Sequence, residues 1–160
     1  MAEKEYIFSE DKDKMYQELC AAVKGLTMDV PYRIANLANT SAILNQALRD
    51  INWVGFYLME DGKLVLGPFQ GKTACIEIRV GKGVCGNAVQ KNQTMRVEDV
   101  LEFPGHIACD AASRSEIVVP IRKNGEIVGV LDIDSPIVGR FDKKDQAGLE
   151  AVVKILENVI

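Results

Sequence analysis

The chain has 160 residues, 48% of them hydrophobic and 26% charged, with a formal net charge of -4; this is the balance of a globular domain long enough to bury a continuous core. The negative balance argues against nucleic acid as the main partner, because phosphate binding draws its affinity from Lys and Arg. No apolar run approaches a membrane span, and the acidic start Met1-Ala2-Glu3-Lys4-Glu5 lacks the apolar centre of a leader, so a cytoplasmic location is expected.

Ser9 is placed to cap a first helix, whose apolar residues Met15, Leu19, Ala22, Val23 and Leu26 recur at helical spacing, with an end near Gly25. Pro31 suits the start of a second helix, where its missing N–H costs nothing, and Ile34, Leu37, Ala38, Leu44 and Leu48 then share one face. Asn52 to Glu60 predicts a strand carrying Trp53, Phe56 and Tyr57, turned by Asp61-Gly62 into Lys63-Leu64-Val65-Leu66. Cys75 to Val80 alternates with period two, as a half-buried strand does. Gly81-Lys82-Gly83-Val84-Cys85-Gly86 predicts a tight turn opening a short helix. It also matches a dinucleotide fingerprint formally, but the surrounding hairpin pattern lacks a βαβ crossover. A strand over Thr94 to Val97 precedes a loop rich in small residues.

The clearest hairpin joins Glu116–Arg122 to Glu126–Asp134 through Asn124-Gly125, a pair that favours the type I′ turn. Asp142 is placed to cap a last helix with Leu149, Val152, Val153, Leu156 and Ile160 on its buried stripe. Helices over about 10–48, a sheet with its loops over about 51–135 and a closing helix over about 142–160 make one α+β domain across residues 1–160, with helices packed on one face of an antiparallel sheet.

The four cysteines are Cys20, Cys75, Cys85 and Cys109. None forms a C-x-x-C pair and His106 is the single histidine, so a structural zinc site fits poorly and no metal is expected. Cys20 falls within an amphipathic helical pattern and reads as a small buried hydrophobe. Cys109 lies in Gly105-His106-Ile107-Ala108-Cys109-Asp110-Ala111-Ala112-Ser113, where small neighbours leave the sulfur approachable, and it is the candidate nucleophile. Cys85 sits at a helix start, where the dipole favours thiolate, while Cys75 is the most strand-like. Asp132 and Asp134 point to the same face of one strand, and Glu116 enters the neighbouring strand. Three acids converging on one pocket suit a bound ammonium, a carboxyl kept protonated as a proton donor, or a divalent metal. Trp53 and Tyr57, four apart, share a face and would form an aromatic wall for a small, partly apolar cation.

Leu37-Ala38-Asn39-Thr40-Ser41-Ala42, Asp50-Ile51-Asn52-Trp53-Val54-Gly55-Phe56-Tyr57, Leu66-Gly67-Pro68-Phe69-Gln70-Gly71, Gly81 to Gly86, Gly105 to Asp110 and Leu131-Asp132-Ile133-Asp134-Ser135 together resemble the free methionine-(R)-sulfoxide reductases, enzymes of the GAF fold. The resemblance implies a six-stranded antiparallel GAF sheet and reduction of the free amino acid sulfoxide to methionine. It also implies attack by Cys109, a sulfenic acid resolved by Cys75 or Cys85, pocket acids at Glu116, Asp132 and Asp134, and an aromatic wall at Trp53 and Tyr57. Thioredoxin as the external dithiol, no bound cofactor and a homodimer are implied on the same ground. The rival expectation is a GAF domain that binds a small molecule without turning it over; three cysteines around one pocket argue against it. A carboxylate-metal hydrolase is a third, distinguished by a chelator and by indifference to Cys109→Ser.

Overall fold

The computed structural model describes residues 5–106 and 110–160. Two helices come first, α1 over Lys12–Thr27 and α2 over Arg33–Ala47, followed by β1 over Trp53–Glu60, β2 over Lys63–Gly71 and β3 over Glu77–Arg79. Helix α3 (Gly83–Lys91), β4 (Met95–Val97), β5 (Ser115–Lys123), β6 (Glu126–Ser135) and α4 (Lys143–Leu156) complete the order. The strands form one antiparallel sheet in the order β3-β2-β1-β6-β5-β4, so β1 and β6 are central. Among the described residues, no helix is long and apolar enough to cross a membrane.

The period-two alternation of the central strands divides the sheet into two faces. Val54 and Phe56, Ile117, Val119 and Ile121, and Leu131 and Ile133 point to one side, where they form a core with α1, α2 and α4. Trp53, Tyr57, Val118 and Val130 point to the other, where α3 supplies Val84, Cys85 and Ala88. Three helices thus share one face as expected, and the inserted α3 covers the other. Both hairpin turns have the predicted geometry: φ is positive at Asp61 and Gly62 and at Asn124 and Gly125, as type I′ requires.

Local details differ from expectation where side chains outcompete pattern. Asp11, not Ser9, caps α1, its carboxylate accepting from the Lys14 N–H at 2.9 Å, and the helix runs past Gly25 to Thr27. In α2 the buried stripe is rotated: Ile34 and Ala38 are exposed, while Asn36, Thr40 and Ser41 are buried because each bonds to a carbonyl. The Cys75–Val80 strand shrinks to three residues at the sheet edge, with Ile78 buried but Ile76 and Val80 exposed. Asp142 caps α4 as predicted, in a capping box with Asp145.

Helices α1 and α4 meet through Tyr16 and Gly148. The Tyr16 hydroxyl donates to Asp145 at 2.7 Å, which holds the buried ring in place over Gly148. A Cβ at position 148 would lie 2.3 Å from Tyr16 Cγ and 2.4 Å from Cδ1. Alanine normally favours a helix interior over glycine by about 1 kcal/mol, but here the methyl has no room. Gly148→Ala should therefore lower stability, by about 1–2 kcal/mol in urea unfolding; an increase would show that the ring can move aside.

Candidate active site

Strand register builds the site. On the face covered by α3, Asp134 of β6 is opposite Trp53 of β1 on one side and Glu116 of β5 on the other. One step along β6, Asp132 lies between Gly55 and Val118, and the next row is Tyr57, Val130 and Pro120. The face thus changes from apolar to acidic within one strand. Trp53, Tyr57, Glu116, Asp132 and Asp134 line a pocket of about 520 Å³, counted with its open mouth, together with Val84 and Cys85 of α3, Ile78, Thr73, Ala74, His106, Asp110 and Ser113.

The aromatic wall is fixed at both polar ends. Trp53 stacks on Phe69 at 5.1 Å and on Tyr57 at 5.9 Å. Its Nε1 donates to the Lys72 carbonyl at 3.1 Å, and the Tyr57 hydroxyl donates to the Cys75 carbonyl at 2.9 Å. Tyr57 therefore ties the Cys75 segment to the pocket wall. Gly55 is needed beside it, because a Cβ there would fall 2.2 Å from Phe69 Cβ and push β2 away.

Glu116 and Asp132 are buried, only 6% and 5% exposed. Burial first, then repulsion by Asp132 and its neighbours, pushes Glu116 well above the ordinary carboxyl range, and Asp134 likewise. Asp132 is raised by burial, against hydrogen bonds from Glu116 and Cys85 that favour its charged form. Asp132 is thus the acceptor of the cluster, and Glu116 and Asp134 are carboxyls able to donate. Among the described residues, Oδ1 of Asp132 has no hydrogen-bond partner.

Of the predicted site residues, Glu116, Asp132, Asp134, Trp53, Tyr57 and Cys85 come together here; Cys109 lies outside the described residues. Cys85 is a free thiol, and burial together with the nearby Asp132 pushes its pKa well above the ordinary value. That reverses the expectation that the helix start favours thiolate: desolvation beside three acids outweighs the dipole. Cys75 is disulfide-bonded and partly exposed, so it is neither inert nor core. His106 lines the pocket, and burial lowers its pKa, keeping the imidazole neutral near pH 7.

Sequence reasoning missed the groups that pin the loop after Cys109. Asn52 Nδ2 donates to Asp110 Oδ2 at 3.0 Å and to Ser113 Oγ at 3.1 Å, and Asp110 Oδ1 accepts from the Ala112 N–H at 2.9 Å. That backbone bond holds the Asp110 carboxyl below its usual range. The Asx-turn signature Asp-x-Ala was the available signal; its partner, 58 residues away in sequence, left none.

Residues 39–160 match the family model of the GAF domain, the class of protein this sheet and its covered pocket define. The chain is 55% identical to the free methionine-R-sulfoxide reductase of Escherichia coli, over 94% of this chain and 91% of that one. It superposes on fRMsr of Staphylococcus aureus in its reduced form with a TM-score of 0.88, at 57% identity and covering 89% and 93% of the two chains. For the free methionine-R-sulfoxide reductase of Neisseria meningitidis in complex with its substrate, the TM-score is 0.94 at 43% identity, covering 98% and 95%. The chain belongs to the GAF-domain family of free methionine-(R)-sulfoxide reductases.

The pocket acids carry a sign for pH dependence. A carboxyl whose folded pKa is raised stabilises the fold fully below its unfolded value and loses that contribution as pH rises toward the folded value. The unfolded value for Glu is about 4.3, so the window opens there and extends upward. Glu116→Gln should flatten the fall in unfolding free energy as pH rises above about 4.3, measured by urea unfolding against the parent protein. Superimposable slopes would show that Glu116 keeps an ordinary pKa.

Proposed function

We propose that this chain reduces free methionine-(R)-sulfoxide to methionine, with Cys109 as the attacking sulfur. The observation that carries the reading is the buried acid cluster Glu116, Asp132 and Asp134 beside the Trp53 and Tyr57 wall in one pocket. The kinship with reductases, one of them solved with its substrate, supports the same reaction.

The Cys109 thiol attacks the sulfoxide sulfur while a neutral pocket carboxyl, Glu116 or Asp134, protonates the sulfoxide oxygen. Net, the oxygen passes from substrate to Cys109: thiol and sulfoxide become sulfenic acid and methionine. A second thiol then displaces water and closes a disulfide. Cys75 is the better candidate for that step: it is oxidised while Cys20 and Cys85 are free, and Cys85 is enclosed with its thiol against Asp132. A dithiol, thioredoxin by family kinship, resets the pair by exchange.

Trp53 and Tyr57 receive the methyl and methylene groups, and the acids hold the α-ammonium. The first turn of α3, where Gly83 and Val84 line the pocket, has backbone N–H groups with no acceptor within the helix, and these suit the α-carboxylate. A peptide-bonded methionine sulfoxide lacks both charges and would leave the buried acids unpaired. The reading takes residues 1–160 as one domain, needs no bound cofactor, and extends to a homodimer.

The test is methionine formation from the free (R)-sulfoxide with a dithiol. The parent protein should turn over and Cys109→Ser should not, while the N-acetylated substrate should lose at least about 100-fold in kcat/KM. Equal turnover by both proteins would remove the thiol mechanism. Non-reducing peptide mapping after one substrate equivalent should find Cys75 joined to Cys109.

A further inference from the structure

The proposed cycle leaves Cys85 without a chemical task, yet it stands in the pocket floor beside two acids. One ligating atom each from Cys85, Glu116 and Asp132 lies within 4.8 Å of the others, and all three residues are buried. Asp132 lines the pocket, and its enclosed Oδ1 lacks a partner among the described residues. An unpaired buried carboxylate oxygen is costly unless a cation or donor meets it. Among the described residues, the seven ion pairs neutralise acids elsewhere and none reaches this cluster.

We propose that Cys85, Glu116 and Asp132 form a binding site for a zinc-like divalent transition metal ion. The donor set selects the ion class. One thiolate with two carboxylates suits zinc or cobalt, whereas magnesium and calcium call for oxygen donors throughout. Three protein ligands leave a fourth, tetrahedral position facing the pocket, which water fills. Binding takes one proton from the Cys85 thiol and one from the Glu116 carboxyl and releases both to solvent, with no change of oxidation state; the ion and three anionic ligands together carry one negative charge. The three ligands come from different elements, α3, β5 and β6, so occupation clamps α3 onto the sheet. Because the ion would occupy the acids assigned above to substrate, it acts as a reversible block of the pocket.

Cobalt(II) is the probe, since thiolate ligation gives a near-ultraviolet charge-transfer band and a tetrahedral site gives intense visible bands. The full chain carrying Cys75→Ser and Cys109→Ser, which removes the proposed redox pair, is titrated without oxygen. One equivalent should produce the thiolate band. Cys85→Ser in that background should abolish it, and Cys20→Ser should leave it in place. Asp132→Asn, which keeps the thiol, should weaken cobalt binding by about tenfold or more. Circular dichroism checks that each variant is folded, and the Asp132→Asn arm decides the matter if Cys85→Ser is not. Absence of the band, its survival in Cys85→Ser, its loss in Cys20→Ser, or unchanged affinity in Asp132→Asn would each overturn the site. No turnover is read, so failure here leaves the reductase reading standing, and failure of that reading leaves this one standing.

Discussion

Three carboxyls on two adjacent strands, enclosed on a face that is otherwise apolar, are the constraint from which the rest of the site follows. Register alone brings them together: Glu116 opposite Asp134, with Asp132 two residues along the same strand. Were β5 to slip by one residue against β6, Ile117 would enter the pocket and Glu116 would face the helical core. The deep apolar packing of α1, α2 and α4 on the opposite face holds that register. The acidic face can then stay costly, because the stabilising burial lies on the other side of the sheet.

The molecule contains its own control for what a buried acid means. Asp145 is fully enclosed, like Asp132, but it is surrounded by partners. Lys12 approaches at 2.9 Å, Arg140 at 3.3 Å, the Tyr16 hydroxyl at 2.7 Å and the Asp142 N–H at 2.9 Å. Its charge is matched and its lone pairs are used, so it joins the start of α4 to α1 and asks for nothing further. Among the described residues the pocket acids have no Lys or Arg ion-pair partner, and burial pushes the Glu116 and Asp134 carboxyls toward the protonated form. Burial is common to both; what differs is the counter-charge, supplied to Asp145 by Lys12 and Arg140 and to the pocket acids by no described Lys or Arg.

That difference explains what the sequence made legible. Asp-x-Asp in a strand announces a shared face, and Asn124-Gly125 announces the hairpin that supplies the second strand, so the acid cluster could be assembled from local pattern. The site elements that failed to show depend on distant partners. Asn52 is an unremarkable polar residue before β1 until Asp110 and Ser113 come within reach of its amide. Asp145 looks like an ordinary first-turn acid until Tyr16, Lys12 and Arg140 close over it. In α2, apolar spacing pointed to Ile34 and Ala38, but side-chain bonds from Thr40 to the Asn36 carbonyl and from Ser41 to the Leu37 and Pro68 carbonyls allow polar residues to fill the buried stripe.

The cysteines carry the same lesson into chemistry. Cys75 and Cys85 are ten residues apart, and local context favoured Cys85 as the more reactive, because it begins a helix. The helix dipole is worth at most about 1–2 kcal/mol in favour of a thiolate. Enclosure beside Asp132, Glu116 and Asp134 works against the same charge through both desolvation and repulsion, and it prevails. Cys75, on a partly exposed segment leading into an edge strand, escapes that environment while the Tyr57 hydroxyl keeps its backbone at the pocket wall. The two cysteines therefore differ in state as well as place: Cys85 is a free thiol enclosed in the pocket, and Cys75 is disulfide-bonded on a half-buried segment beside it. Burial beside three acids favours the protonated form at Cys85, whereas the Cys75 sulfur is already oxidised, so helix position alone was a poor guide to which of the two would react.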